Sequence, residues 1–232
     1  MNNALSCANC NVLGLTYFSS ISLEDLNNLS QNKTTVLYKK GQTIFHEGNY
    51  PNGIFCVQSG KLKIHKTGRD GKAHIVRLAI PGMLIGIRSL LGRAKYAASA
   101  TAIEDSFVCF LNRTLFFDFL AKYPNISESL MSSLSQLLLE AEDKILSMAQ
   151  NSVRQRLAET LYILGNIFCQ NIEDNEQITI CLPREDLANI VGTATETVVR
   201  LLSEFKEENL ITSEGRKIII LNPAGLKKIS LS

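Results

Sequence analysis

Two groups of residues in this sequence have the types and spacing to do chemistry. The first lies in LPREDLANIVGTATETVVRLLSEFKEENLI, Leu182 to Ile211. Glu196 and Arg200 stand one helical turn apart, so a helix puts both on one face. Arginine is a rigid donor fork that fits O6 and N7 of guanine, and glutamate accepts from N4 of cytosine. The same spacing suits a surface ion pair worth ~0.3–0.5 kcal/mol, and such a pair can hold the arginine ready for DNA. Thr193, Thr195 and Thr197 are short hydroxyl donors suited to phosphates. Arg184, Lys206, Arg216 and Lys217 supply charge around them, with Lys206 reading as solvated surface. Val199 offers a methyl surface to a thymine methyl. The second group is Cys7 and Cys10. Two thiols at this spacing serve as half of a metal site or as a redox switch. The plainer reading leaves Cys7 and Cys10 idle on an N-terminal arm and makes Cys109 a small core hydrophobe.

The elements that position the first group are legible. Arg184–Val191 and residues 194–208 carry apolar residues at helical spacing, with Gly192 and Thr193 at the turn between them. An ordinary helical hairpin gives the same pattern, but a strand at Ile178–Leu182 and two strands around Ser213–Arg216 turn it into a winged helix-turn-helix. Upstream, Val153–Cys169 reads as a helix with Leu157, Leu161, Leu164 and Phe168 on one face. From Ser127 to about Gln150, Leu130, Leu134, Leu137, Ala141 and Met148 mark a coiled-coil seam interrupted at Lys144, which predicts a dimer helix, the alternative being a helix packed on its own domain.

Cys109 belongs to a different kind of segment. Between Val36 and Leu111, short alternating runs are punctuated by Gly41, Gly48, Gly60, Gly68, Gly71 and Gly82, and Asp70-Gly71 is a hairpin signal. Many short strands at this spacing predict a double-sheet roll. Cys56, Cys169 and Cys181 sit in apolar alternating runs and read as core. Residues 1–20 read as an arm, Ile21–Ser30 as a helix capped by Ser22, and Leu115–Leu120 as a short helix.

The chain has 232 residues, 45% of them hydrophobic, enough for one large or two modest domains. Its net charge of +2 means that DNA binding must rest on a local surface. No apolar run approaches the ~20 residues that span a bilayer. MNNALSCANC lacks the pattern of a secretory signal. The expectation is a cytoplasmic protein with no membrane partner and six reduced cysteines.

The stretches KKGQTIFHEGNYPNGIFCVQSGKLKIHKTGRDGKAHIVRLAIPG and EDLANIVGTATETVVRLLSEFKEENLI resemble the sensor roll and DNA-binding helix pair of the Crp/Fnr family of bacterial transcription regulators. The resemblance implies an α+β fold: an N-terminal jelly-roll-like β-roll (1–125), a long dimerisation helix (126–150) and a C-terminal winged helix-turn-helix domain (151–232). It implies a homodimer on a pseudo-palindromic double-stranded DNA site, with half-site centres ~34 Å apart and RNA polymerase as a further partner. It also implies base reading by Glu196 and Arg200 and a departure from better-known relatives at Thr195 and Val199.

The family's cyclic-nucleotide branch carries a Gly-Glu pair and then an Arg-Ser pair after the roll's PG. Here Gly86 is followed by Ile87, and Tyr96-Ala97 replaces Arg-Ser. Arg88 and Arg93 are out of register for a cyclic phosphate. cAMP is therefore not expected, while Gly86, Arg88 and Tyr96 remain candidates for a different effector pocket. The oxygen-sensing branch holds an iron–sulfur cluster on an N-terminal cysteine group plus one roll cysteine. Cys7, Cys10 and Cys109 match, but VLGLTYFSS lacks the third N-terminal cysteine, and a cubane cluster normally takes four thiolates. The effector thus stays open between a cluster, another metal or redox chemistry, another small molecule, and a roll that is purely structural. A cupin-like metal enzyme is a separate alternative. His46, His65 and His74 lack its paired spacing, and neither a nucleophile elbow nor a phosphate loop is present. A haem ligand among those histidines has no second residue paired to it by spacing.

Overall fold

The computed structural model describes residues 6–68, 71, 73–169 and 178–231. Asp70 of the expected hairpin turn, the polar stretch 171–177 and the side chain of Cys169 lie outside the described residues. The chain divides into two compact units, Met1–Leu137 and Leu138–Ser232.

The first unit is the β-roll. One sheet has the order β1-β8-β3-β6, built from Thr34–Tyr38, Ser106–Asn112, Gly53–Ser59 and Leu84–Ile85. The other has the order β2-β7-β4-β5, from Thr43–Phe45, Ser99–Ala102, Leu62–Thr67 and Ala73–Ala79. All pairings are antiparallel. Ile64, Ala100, Val57 and Val108 fill one apolar core between the sheets. A second core lies on the other side of β3, where Ile54, Cys56, Cys109 and Leu111 meet helical residues. Burial on both faces explains why β3 reads as a nearly continuous apolar run.

Three helices cover that second core: α1 (Leu23–Asn32), α2 (Ile87–Leu91) and α3 (Arg113–Lys122). Ser22 caps α1 as expected, its hydroxyl accepting the Asp25 N–H at 3.2 Å. The N-terminal segment departs from the expected arm. From Ser6 onward it forms two 3₁₀ turns, Cys7–Asn9 and Leu13–Leu15, and buries Cys7, Val12 and Phe18. Phe18 meets Phe119 edge-on at 6.0 Å. Burial of these side chains holds a segment that has no helical or strand period of its own.

Helix α4 (Pro124–Gln150) starts three residues before the expected Ser127. Proline suits the first turn of a helix, where its missing N–H has no intrahelical partner to lose. The apolar register also differs from the expected one. Leu130 is buried in the roll's core. Met131, Leu138 and Ile145 are exposed at seven-residue intervals, as is Met148. With Leu134 and Ala141 they form an a/d heptad that never meets Lys144. Lys144 is half-buried instead, and burial lowers its pKa while the nearby Glu159 opposes that.

The second unit contains α5 (Val153–Cys169), β9 (Thr179–Cys181), α6 (Arg184–Val191), α7 (Thr195–Glu207), β10 (Ile211–Glu214), β11 (Lys217–Ile220) and α8 (Pro223–Ser230). Its sheet has the order β10-β11-β9. Leu157, Leu161, Leu187, Val191, Val198, Phe205 and Leu226 are buried. Cys181 is exposed and not core, because strand alternation puts its neighbour Ile180 inward and Cys181 outward. Helix α8 lies beyond the elements read from sequence, although Asn222 accepting the Gly225 N–H and Pro223 in the first turn mark its start.

Candidate DNA interface and sensor cavities

The turn between α6 and α7 is made by Gly192. It caps α6 in the left-handed region at φ +74°, and its N–H reaches the Ala188 carbonyl at 2.8 Å. Only glycine enters that region without steric cost. Beyond the turn, α7 buries Val198, Leu201, Leu202 and Phe205. Its opposite face exposes Glu196, Val199, Arg200 and Ser203, while Thr193, Thr195 and Thr197 are half-buried near the helix start. The expected reader residues therefore share one solvent-facing surface.

The expected pairing within that surface does not form. Arg200 Nη1 donates to Glu204, one turn further along, and not to Glu196. Glu204 also accepts from Arg154 on α5 at 3.0 Å, and Arg154 reaches Glu208 at 2.6 Å while its guanidinium lies 4.8 Å from the Phe205 ring centre. Arg154 thus pins the back of α7 to α5 and shares the carboxylate that steadies Arg200. Its role depends on packing between two helices and has no signature in either one alone. Arg156 acts similarly at the end of α6, donating to the Val191 carbonyl at 3.1 Å and the Asn151 carbonyl at 2.8 Å.

Arg184 is tied to the wing. It is half-buried, which lowers its pKa, and its guanidinium donates to the carbonyls of Arg216 at 3.3 Å and Gly215 at 3.2 Å. Two of its donors brace the tip of the β10–β11 wing. The exposed charges Arg216 and Lys217 lie at that tip, and Lys206 is exposed on α7.

Two cavities of the roll gather the residues expected to sense a signal. The first has a volume of about 30 Å³, and Gly86, Arg88 and Tyr96 line it together with Arg77 and Ser89. Room for one water takes ~10–15 Å³. Arg93 is exposed and lies outside this lining. Tyr96 is buried and stacks on Phe45 with ring centres 4.0 Å apart. Burial pushes its phenol pKa up to about 12. Its ring packs over Gly86, where an added Cβ would stand 3.2 Å from Tyr96 Cε1 and the backbone takes φ +83°. Ile87 is buried and presents no carboxylate.

The second cavity has a volume of about 40 Å³ and gathers Cys7, Cys10 and Cys109. Cys56, which reads as core in the sequence, lines it as well, with Lys33 and the apolar Val12, Phe18, Leu29 and Leu111. Cys7 is fixed by its N–H donating to Ser30 Oγ at 2.7 Å. Burial raises the Cys109 thiol pKa, with Thr35 and Lys33 opposing. Burial, reinforced by the other three thiols, pushes Cys56 up to about 12. Burial works to lower the Lys33 pKa, but Cys109, Cys7 and Cys10 outweigh it and the net shift is upward. Among the described residues, no three His, Cys, Asp or Glu side chains converge tightly enough to share a single metal ion.

Comparison with known proteins bears on both halves. Residues 35–123 match the cyclic nucleotide-binding domain, and residues 155–229 match the Crp-like helix-turn-helix domain. A Thermus thermophilus transcriptional regulator of the CRP/FNR family superposes with a TM-score of 0.72 at 27% identity, covering 86% of this chain and 99% of that one. The chain belongs to the Crp/Fnr family. The fumarate and nitrate reduction regulatory protein of Escherichia coli K12 is 26% identical over 230 residues, 98% of this chain and 91% of its own length. The catabolite activator protein of Thermus thermophilus has 26% identity and a TM-score of 0.51, covering 93% of this chain and 98% of that one. As a Crp/Fnr protein, the chain is a DNA-binding transcription regulator and not an enzyme. Among the described residues no helix is long and apolar enough to cross a membrane.

Proposed function

We propose that this protein is a homodimeric regulator that reads an inverted-repeat DNA site with α7 and takes its signal at the thiol-lined cavity of the roll. The observation that carries the reading is the exposed face of Glu196, Val199 and Arg200 over a buried backing of Val198, Leu201, Leu202 and Phe205. A helix so anchored offers its base-reading groups without losing its own packing. Arg200 donates to guanine, Glu196 accepts from cytosine, and Val199 meets a thymine methyl. Thr193, Thr195 and Thr197 reach phosphates, as do Arg216 and Lys217 at the wing. Dimerisation uses the exposed Met131, Leu138, Ile145 and Met148 of α4, whose heptad spacing lets a second copy cover them. The two α7 helices then face successive major grooves, and the signal reaches the promoter through RNA polymerase.

Tyr96 packed over Gly86 and the buried Ile87 favour a signal other than a cyclic nucleotide. The sulfur donors and apolar walls of the second cavity suit an iron–sulfur cluster, with Cys7, Cys10 and Cys109 as holders. Such a cluster, when bound, supplies a redox-active centre. Of the chain's own residues, Val12, Phe18 and Leu29 wall the cavity with apolar surface, and Lys33 supplies positive charge. Native mass spectrometry with an inverted-repeat duplex tests the dimeric reading. Two chains per duplex are expected, and a persistent single chain per duplex contradicts it.

A further inference from the structure

The iron–sulfur reading leaves a gap in the ligand count. Cys7 and Cys10 come from the N-terminal turns and Cys109 from β8, while the segment from Asn11 to Ser20 contains no further cysteine. A cluster normally takes four thiolates. We propose that Cys56 of β3 is the fourth ligand, so that two cysteines from the N-terminal turns and two from neighbouring strands enclose the cluster.

The sheet register carries this assignment. Cys56 and Cys109 are directly opposite each other in the antiparallel β3–β8 pair. Opposite residues project to the same face with Cβ atoms ~4.5–5.5 Å apart. That face is the floor of the cavity over which Cys7 and Cys10 fold. Strand period places Gln58 and Leu111 on the same face, and both line the same cavity. Cys56 is not held elsewhere by a strong partner: its thiol makes one long contact, 4.0 Å to the Val57 carbonyl. Cys109 sits between Thr35 Oγ1 at 3.4 Å and Gln58 Oε1 at 3.7 Å.

The four thiols that line this one cavity supply the number of thiolates that a cluster takes. Lys33 at the same cavity offsets the net negative charge of a four-thiolate cluster. The third N-terminal position of the oxygen-sensing pattern is thus relocated to a strand, where sequence spacing does not reveal it.

This inference rests on the cluster reading, and one experiment separates the two. The full-length protein is loaded anaerobically with iron and sulfide, and iron, acid-labile sulfide, zinc and the visible spectrum are measured. The same is done for Cys56→Ala, Cys56→Ser and Cys181→Ala, with circular dichroism to verify folding. Wild type and Cys181→Ala are expected to take up about four irons and four sulfides per chain. Both Cys56 variants are expected to lose at least four-fifths of the cluster absorbance or to show a changed spectrum. The serine variant keeps the size of the side chain, so it preserves the test if the alanine variant misfolds. Wild-type loading matched by both Cys56 variants overturns the role of Cys56 alone. A wild type that takes up no iron and sulfide, or that takes one zinc in their place, overturns the cluster reading and this assignment with it.

Discussion

Replacing Arg200 by alanine separates DNA reading from folding with unusual clarity. Arg200 is exposed, with 66% of its side-chain surface open, and its ion pair with Glu204 is the i,i+4 surface kind. Such a pair contributes ~0.3–0.5 kcal/mol. Glu204 keeps Arg154 at 3.0 Å, so no carboxylate is stranded. For a unit of this size ~1 kcal/mol shifts the melting temperature by ~4–8 °C, so the substitution costs ~1–4 °C. The effect on DNA is far larger. A bidentate arginine–guanine contact is worth ~1–3 kcal/mol, and a dimer makes it twice, giving ~2–6 kcal/mol. At ~1.4 kcal/mol per tenfold, affinity falls by ~30-fold to ~10⁴-fold. Fluorescence anisotropy at fixed salt, with a duplex panel varied at each half-site position, reads both affinity and preference. The variant is expected to lose discrimination at one symmetric base pair while the slope of log affinity against log salt stays nearly unchanged. Unchanged affinity, or an equal loss on every duplex with a shallower salt slope, refutes base reading and makes Arg200 a phosphate contact or bare surface.

Three further outcomes follow from the same structure. Leu138→Glu puts a charge at an exposed heptad position of α4; losing one buried leucine per chain costs ~1.5–3 kcal/mol each, so sedimentation equilibrium should show dimer affinity falling at least ~100-fold with the chain still folded, and an unchanged dimer contradicts the seam. Tyr96→Ala removes a buried ring stacked on Phe45 and should cost ~3–5 kcal/mol in urea unfolding, whereas a loss under ~1 kcal/mol means that the ring does not fill the site over Gly86. The buried Asp25 carboxyl is held below its ordinary pKa by hydrogen bonds from Lys122 and Tyr123; a depressed pKa stabilises the fold above the unfolded value of ~3.9 and loses that contribution as pH falls through the folded one. The melting-temperature advantage of wild type over Asp25→Asn should therefore be full near neutral pH and shrink below ~4, and an advantage independent of pH contradicts that linkage.

Much of the fold is legible because its signals are local. The glycine-punctuated runs, the Ser22 cap and the apolar stripe Val198, Leu201, Leu202 and Phe205 each sit within a short window. What escaped the sequence depends on pairs distant in the chain. The meeting of Cys56 with Cys109 is a fact of strand register across more than fifty residues. Arg154 gains its task from packing against α7, and Arg184 from the return of the wing. On α4, Leu130 is apolar because it is buried in the roll's core, whereas Met131, Leu138 and Ile145 are exposed, and periodicity alone does not separate the two. The N-terminal turns have no period at all, and the burial of Val12 and Phe18 fixes them. Local periodicity thus places elements, while the partners of a charged or thiol side chain follow only from the assembled fold.

Selection of binding sites from random duplex DNA with the full-length protein, followed by sequencing, tests base reading by α7. Enrichment of an inverted repeat whose half-site centres are one helical turn apart, ~34 Å, is expected. Each half should contain a G·C pair whose preference disappears when the selection is repeated with Arg200→Ala. A pool with no enriched inverted repeat, or the same repeat enriched equally by the variant, contradicts base reading by α7.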